Sequence, residues 1–311
     1  MCYSAKVRQD HQDYERLFGV HISLSDYVRL YAERAEGANH KIPKGMDLQF
    51  QRPKIPEEQQ ILASIRSWQQ ARSHELQSEL FAQRTRLADS ERKLAIKVTK
   101  AAQESHRIAS SKVRWLTEKL ADLRREQPGE DDSRIYPGDY VPVVVIEDGR
   151  RVLKPMRYLC RPPGVPASFD RKYPGTYNAR RDSLNGYWRR CFGHTHGVII
   201  LGAFFEHVER MLPDGTSEKA ILRFEPDFHR DMLCAAIWSH WTNGDEELYS
   251  VALITDEPPP EVSAAGHDRC VIPLKTENVD AWLNPQLQSE SELQRILDDR
   301  ERPRYEHRLA A

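Results

Sequence analysis

The sequence has almost no net charge, few cysteines and no long hydrophobic run. Its 46 Lys and Arg residues balance 47 Asp and Glu residues to a formal net charge of -1, so composition alone indicates no polyanionic partner. No apolar stretch approaches the roughly 18 residues that cross a membrane, and the first residues contain no signal peptide. The five cysteines include no CxxC pair, which argues against a disulfide framework. These absences predict a cytoplasmic protein.

A long segment also lacks the two residues that interrupt helices. Between Glu57 and Gln127 there is no Gly and no Pro, and the strong helix formers predominate. Apolar residues recur every seven positions from Leu80 to Ile108, but the positions four further on include Arg84 and Glu91, which is unfavourable for a two-stranded coil. We therefore predict a helical insertion over 56–127, folded as an antiparallel hairpin that breaks near residues 88–90. A coiled-coil arm is the alternative.

The remaining segments predict shorter helices and strands. Apolar spacing over 10–36 predicts two short helices broken near Gly19. After residue 128, short apolar runs predict strands at 140–146, 198–205, 220–224, 232–238 and 249–255. The polar tail beyond Pro285 is expected to be a terminal helix that frays. The predicted divisions are an N-terminal part (1–55), the insertion (56–127), a main body (128–285) and a tail (286–311).

Four motifs follow one another along the chain. Cys2 comes directly after Met1, YNARRD (177–182) is followed by WRRC (188–191), GAFFEH occupies 202–207, and GHDRCVIP occupies 266–273. In this order they resemble the blocks of the SOS response-associated peptidase (SRAP) family. The resemblance covers the start of the chain and residues of about 134–285. The chain departs from the family pattern at four positions: Tyr3, Ser4, Tyr158 and His207.

The resemblance implies both a fold and a reaction. The fold is α+β, with a twisted, largely antiparallel sheet closed into a barrel-like core, flanking helices and the long inserted arm. The reaction is covalent capture of abasic sites in single-stranded DNA, with Cys2 forming a thiazolidine after removal of Met1. That activity is lyase-like, uses no cofactor or metal and belongs to the DNA damage (SOS) response. The protein would then be nucleoid-associated when bound to DNA.

The resemblance also assigns roles to individual residues. Glu206 becomes the acid/base group, His267 a second proton-transfer or sugar-stabilising group, and Asn178 the amide that orients Cys2 or the opened sugar. The DNA-contacting set consists of basic side chains for phosphates, an aromatic face for a base and one proline. Its members are Arg180, Arg181, Arg157, Arg269, Tyr158 and Pro137.

Each of these residues also has a structural interpretation. Strand alternation would turn Glu206 to solvent, His267 could be a structural histidine, and Asn178 a turn residue. Arg180 and Arg181 would often form a solvated surface pair. A zinc site can be drawn from Cys191, His194, His196 and His207, but their spacing matches no standard zinc module.

Two other functions remain open at this stage. One is a thiol peptidase with an N-terminal nucleophile, which the family's name suggests. The other is an interaction protein that works through the helical arm, by self-association or by binding a partner. Four basic residues cluster in the arm and could also contact the DNA backbone: Arg92, Lys93, Lys97 and Lys100.

Overall fold

The computed structural model describes residues 3–9, 11–211, 216–228 and 230–310. The strands among these residues are β1 (Ser4–Val7), β2 (His21–Ile22), β3 (Arg134–Ile135), β4 (Tyr140–Glu147), β5 (Arg150–Tyr158), β6 (Asn178–Arg180), β7 (His196–Met211), β8 (Ser217–Pro226), β9 (Met232–Asn243), β10 (Glu246–Asp256), β11 (Cys270–Val271) and β12 (Tyr305–Leu309). The helices are α1 (His11–Phe18), α2 (Leu24–Ala35), α3 (Lys44–Leu48), α4 (Pro56–Ile96), α5 (Lys100–Arg124), α6 (Phe169–Lys172), α7 (Pro260–Ala264), α8 (Val279–Leu283) and α9 (Glu290–Asp298). None of these helices has an apolar stretch long enough to cross a bilayer.

The chain divides into two units. The first contains residues 1–30, 40–49 and 130–311, and the second contains residues 31–39 and 50–129. All twelve strands belong to the first unit, and the two long helices, α4 and α5, belong to the second.

Five strands of the first unit close into a barrel. The ring runs β4, β5, β10, β9, β7 and back to β4, where Val144 pairs with Val198. Four of its five pairings are antiparallel, and β5 and β10 pair in parallel. The predicted α+β fold with a mainly antiparallel, barrel-like core is therefore confirmed, and all five predicted strands lie within observed strands.

Both faces of the barrel wall are covered. On β7, Ile199 and Leu201 belong to one buried apolar cluster, whereas Val198 and Ile200 belong to a second that includes Trp282 of α8. Successive side chains of a strand point to opposite faces, so a wall buried on both sides needs a continuous apolar run. This explains why the first part of β7, residues 196–201, lacks the polar alternation of a half-exposed strand.

The second unit contains an antiparallel helical pair. The 41-residue α4 is about 60 Å long and packs against α5 through a buried cluster of Leu76, Leu116 and Leu120. The predicted hairpin is thus confirmed, but the predicted break at residues 88–90 is wrong. Ser90 Oγ donates to the Leu87 carbonyl within the helix, so it does not interrupt the turn. The chain turns instead at 97–99, where Thr99 caps α5 by accepting a hydrogen bond from the Ala102 N–H.

The expectation of a fraying terminal helix is also wrong. Helix α9 starts with a capping box formed by Ser289 and Glu292, and it buries Leu293 and Leu297. The chain then continues as β12, which pairs with β8. The predicted helices on either side of Gly19 are confirmed as α1 and α2, and this glycine has a φ of 60°.

Candidate active site

The N-terminal strand brings the start of the chain to Glu206. Strand β1 runs antiparallel to β7, with Ser4 opposite Phe205. Continuing this register by one residue places Tyr3 opposite Glu206, and the Tyr3 backbone N–H donates a hydrogen bond to the Glu206 carboxylate. Cys2 lies outside the described residues. In the sequence, it immediately precedes the residue that contacts Glu206.

The Glu206 carboxyl is buried on the inner face of β7. It lies between Phe204 and Val208, which both belong to the core of the first unit, and only 1% of the residue is exposed. The interpretation that Glu206 faces solvent is therefore wrong, because alternation along this strand turns it inward. Burial raises the pKa of the Glu206 carboxyl, and the hydrogen bond with His267 opposes that rise only in part.

A helix terminus positions His267 against Glu206. Helix α7 ends in a Schellman motif, in which the Gly266 N–H donates to the Ser263 carbonyl and the His267 N–H donates to the Val262 carbonyl. Gly266 has a φ of 93°, a conformation that disfavours residues with a Cβ. The resulting reversal brings His267 Nε2 to 3.0 Å from Glu206 Oε2.

The second ring nitrogen of His267 is also held. Nδ1 lies 3.3 Å from the Arg269 backbone nitrogen, from which it can accept a hydrogen bond, and 3.0 Å from the Arg269 carbonyl oxygen, to which it donates when it carries the proton. In that tautomer Nε2 is an acceptor, and a neutral Glu206 carboxyl can donate its proton to it. The arrangement is an acid/base pair that can hold one mobile proton between two buried side chains.

Asn178 and Tyr158 form a second buried pair. Asn178 begins β6, and its Oδ1 lies 3.5 Å from the Tyr158 hydroxyl. Tyr158 is fully buried, and its ring packs edge-on against Tyr177. The Tyr158 ring therefore has no exposed face on which a DNA base could stack, and its hydroxyl contacts Asn178 instead.

Arg180 and Arg269 approach the same end of β10 from opposite edges. Thr255 of β10 pairs with Arg180 on one side and with Val271 of β11 on the other. Two strand spacings therefore separate the two flanking strands, or about 10 Å. Arg180 is exposed and pairs with Asp182 at 2.8 Å, whereas Arg269 is mostly buried.

The other residues predicted to contact DNA are less accessible than Arg180. Arg157 is paired with Asp170 at 2.8 Å, and Arg181 is paired with Asp256 at 3.1 Å and with Asp298 at 2.7 Å. Both arginines are largely buried by these partners. Pro137 is half-buried in the turn between β3 and β4.

The comparison with protein families decides the family of this chain. A family model described as SOS response associated peptidase (SRAP) matches residues 89–309. The chain belongs to the SRAP family. The match begins within α4 and ends in β12, so it extends beyond the 134–285 region noted from the motifs but does not include the start of the chain with Cys2. It contains Asn178, Glu206 and His267, and the family's name associates it with the SOS response and with peptidase activity.

Comparisons with individual proteins gave the following results. No curated protein matches the chain. Among solved structures, a protein from Bacteroides thetaiotaomicron is 16% identical with a TM-score of 0.48, and the alignment covers 58% of this chain and 78% of the other. A protein from Bordetella bronchiseptica is 18% identical with a TM-score of 0.46, covering 58% and 87%. A phage-related protein from the same organism is 17% identical with a TM-score of 0.44, covering 57% and 81%.

Three of the departures from the family pattern, Tyr3, Ser4 and His207, lie close together at this site. The Tyr3 ring is half-exposed and packs edge-on against His207, with ring centroids 4.7 Å apart, and against Tyr136 at 5.8 Å. The Arg134 guanidinium lies over Tyr136 at 5.1 Å, and Arg134 Nε donates to Ser4 Oγ at 3.1 Å. The Ser4 hydroxyl therefore lies against the positively charged guanidinium of Arg134.

Sequence analysis did not identify Arg134 as a site residue. Pairing between β1 and β3 places it opposite Lys6. This pairing is not evident from the local sequence. The only available signal was its position, two residues before the Tyr136-Pro137 pair.

The residues of the zinc alternative have other contacts in this SRAP chain. His196 Nε2 accepts a hydrogen bond from the Gly193 N–H, and its Nδ1 lies 3.0 Å from the Trp282 carbonyl oxygen. His207 packs on Tyr3. Within the part of the chain that the structure describes, no three potential metal ligands come together.

Proposed function

We propose that this chain senses abasic sites in single-stranded DNA and crosslinks to them through Cys2, shielding the lesion in the DNA damage response. The observation that carries the proposal is the setting of Glu206. Its buried carboxyl accepts a hydrogen bond from the N–H of Tyr3, the residue after Cys2, and lies 3.0 Å from His267. An acid/base pair next to an N-terminal aminothiol suits the formation of an imine from an aldehyde.

The proposed reaction starts after Met1 has been removed. The Cys2 amine attacks the aldehyde carbon of the ring-opened sugar, and the resulting carbinolamine loses water to give an imine. The thiol sulfur then adds to the imine carbon while the thiol proton passes to nitrogen, which closes a thiazolidine ring. One water molecule is released for each crosslink, and no oxidant or reductant is consumed. An internal cysteine cannot form this ring because its nitrogen is in a peptide bond.

Glu206 and His267 supply proton transfer in this scheme. The loss of water from the carbinolamine requires a proton on the departing oxygen, and a carboxyl whose pKa is raised by burial remains an acid at higher pH than an exposed one. His267 returns the proton to Glu206 through Nε2. The Asn178 amide orients the opened sugar, with the Tyr158 hydroxyl behind it.

The proposed strand path passes the end of β10, where Arg180 is exposed and Arg269 is mostly buried. Arg180 is the strongest candidate for a flanking phosphate because its side chain is 55% exposed. Arg269 approaches from the other edge of β10, and Pro137 lies in the turn beside the exposed Tyr136. In this proposal Arg157 and Arg181 do not bind phosphates directly. They add positive charge near the strand while they remain paired with aspartates.

A thiol peptidase is the second candidate, and the family's name favours it. The same Cys2 would attack a peptide carbonyl instead of an aldehyde, with Glu206 and His267 as its acid/base pair. Both candidates require Cys2. They differ in substrate, so the nature of the covalent adduct separates them.

The test is a crosslinking assay with full-length protein in which the loss of Met1 has been verified by mass. The protein is mixed with a single-stranded oligonucleotide that contains one abasic site, and the products are separated under denaturing conditions. We expect a shifted band with wild type and none with Cys2→Ala or with an oligonucleotide whose bases are all intact.

Cys2→Ser is the matched control for the thiol. It retains the amine, so it should form an imine that survives denaturation only after reduction with borohydride. A band that persists in Cys2→Ala without a reductant would contradict the proposal. Absence of a band with wild type, together with cleavage of peptide substrates that depends on Cys2, would favour the peptidase.

A further inference from the structure

The bend of the helical pair has charge of only one sign. We define the bend segment as residues 92–103, with the sequence RKLAIKVTKAAQ. It contains Arg92, Lys93, Lys97 and Lys100 and no acidic residue. All four basic side chains are exposed. The bend segment is therefore a local positive patch on a chain whose formal net charge is -1.

The three lysines of the bend segment are not neutralised by their neighbours. Arg92 pairs with Asp89 at 2.6 Å, and Glu104 pairs with Arg107 at 2.5 Å. Glu91 faces His106 at 3.8 Å. Lys93, Lys97 and Lys100 have no ion pair among the residues that the structure describes. The acidic residues on either side are thus committed to other partners, and three positive charges remain available for an external anion.

Two exposed aliphatic side chains lie among these lysines. Ile96 is 89% exposed and Val98 is 67% exposed, and the backbone is extended at Lys97 and at Thr99. Two aliphatic side chains are too little apolar surface for a stable protein interface, which buries about 800 Å² on each partner. They also fall short of the apolar helix face that anchors a peripheral protein to a bilayer. They are enough to contact sugars and base faces of a nucleic acid, where phosphate contacts provide most of the affinity.

We propose that the bend segment is a second, noncovalent nucleic-acid contact, in which Lys93, Lys97 and Lys100 bind phosphates and Ile96 and Val98 pack on sugars or bases. The choice of nucleic acid as the anion rests on the proposed function. The site itself does not involve Cys2 and needs no abasic site. It would hold intact strands as well as damaged ones.

The experiment measures the binding of full-length protein to an intact single-stranded oligonucleotide of about 40 nucleotides by fluorescence anisotropy, over a series of salt concentrations. Each lysine–phosphate contact contributes about 0.7 to the slope of log affinity against log salt on a single strand. The triple variant Lys93→Ala/Lys97→Ala/Lys100→Ala should therefore lower the slope by about 2. Ile96→Ser/Val98→Ser should weaken binding by a similar factor at every salt concentration and leave the slope unchanged.

The control variant removes the same number of positive charges from exposed positions on the same two helices, away from the bend: Arg66→Ala/Arg84→Ala/Lys119→Ala. Its slope should stay close to that of wild type. An equal fall in both triple variants, or no fall in the bend variant, would overturn the proposal. So would loss of binding to anionic phosphatidylglycerol vesicles by the bend variant while DNA binding is retained.

A parallel crosslinking assay keeps this inference separate from the proposed function. At saturating abasic DNA, the bend variant should crosslink at the wild-type rate because its reactive groups are intact. A changed salt slope together with a complete absence of crosslinking in wild type would support the bend segment and contradict the Cys2 reaction. Crosslinking with an unchanged slope would contradict the bend segment alone.

Discussion

His267 Nε2 lies 3.0 Å from Glu206 Oε2, and the opposite ring nitrogen lies 3.0 Å from the Arg269 carbonyl oxygen. The imidazole is therefore held at both nitrogens. The Glu206 side chain projects from β7, and its carboxylate accepts a hydrogen bond from the Tyr3 N–H. This pair is built into the fold, because one partner lies on a barrel strand and the other follows a glycine-terminated helix.

Replacement of Glu206 by glutamine should slow crosslinking by about 100-fold or more, since a positioned general acid contributes about that much. Burial raises the pKa of Glu206, so its acid form persists to higher pH than that of an exposed carboxyl. The wild-type rate should fall as pH rises through this raised pKa, and the fall should be absent in Glu206→Gln. Single-turnover crosslinking rates over a range of pH measure both effects.

Glu209→Gln is the matched control for that substitution, because Glu209 is an exposed glutamate on the same strand. It should crosslink at the wild-type rate. If Glu206→Gln retained both the rate and the pH profile of wild type, the acid/base role of the pair would be excluded. Affinity for intact DNA should be the same in all three proteins.

Arg180 and Arg181 should respond differently to substitution, although they are adjacent. Arg180 is exposed, so Arg180→Gln should weaken DNA binding and lower the salt slope by about 0.7. Arg181 is held by Asp256 and Asp298, so Arg181→Gln should lower the free energy of unfolding by about 2 kcal/mol and change DNA affinity less. Anisotropy and urea unfolding measure the two quantities. An equal loss of affinity in both variants, without loss of stability in Arg181→Gln, would contradict this distinction.

His196 should make the stability of the protein depend on pH. Burial lowers the pKa of His196 to about 3, below the value of about 6.5 for an unfolded histidine. Between these values the unfolded chain binds a proton that the folded chain does not, so stability falls as pH falls. From pH 7 to pH 5, this group should lower the free energy of unfolding by about 2 kcal/mol.

The measurement is the difference between urea unfolding at these two pH values for wild type and for His196→Gln. The variant should lose about 2 kcal/mol less than wild type over this interval, whatever its own stability at pH 7. His21→Gln, at an exposed histidine, should behave like wild type. An equal loss in wild type and His196→Gln would show that folding does not lower the pKa of His196 and would contradict this prediction.

The sequence predicted the strands well because their side chains pack on both faces of the barrel wall. The closure of the barrel was implied only by the family resemblance, since it depends on pairings such as β5 with β10. The hairpin was predictable from the missing glycines and prolines. The bend was predicted at the wrong place because a serine can remain inside a helix. The Ser90 hydroxyl does so by donating a hydrogen bond to the Leu87 carbonyl oxygen.

Site residues were predicted to different extents. The motifs included Glu206 and His267, but their contact depends on the Schellman turn at Gly266 and on the burial of one face of β7. Nothing in the sequence distinguishes Arg180 from Arg181. They differ in the folded chain because Arg181 forms an ion pair with Asp256, which is distant in sequence. Arg134 was missed because it reaches the site through a strand pairing of two residues on each side.

The most direct test of the central claim is to locate the covalent bond. Wild-type protein is incubated with abasic single-stranded DNA without a reductant, the DNA and protein are digested, and the modified peptide is sequenced by mass spectrometry. The account predicts a nucleotide remnant on the N-terminal peptide, attached to Cys2 after loss of Met1, with a mass that corresponds to the loss of one water. An adduct on a lysine, on any other cysteine, or on no residue at all would contradict it.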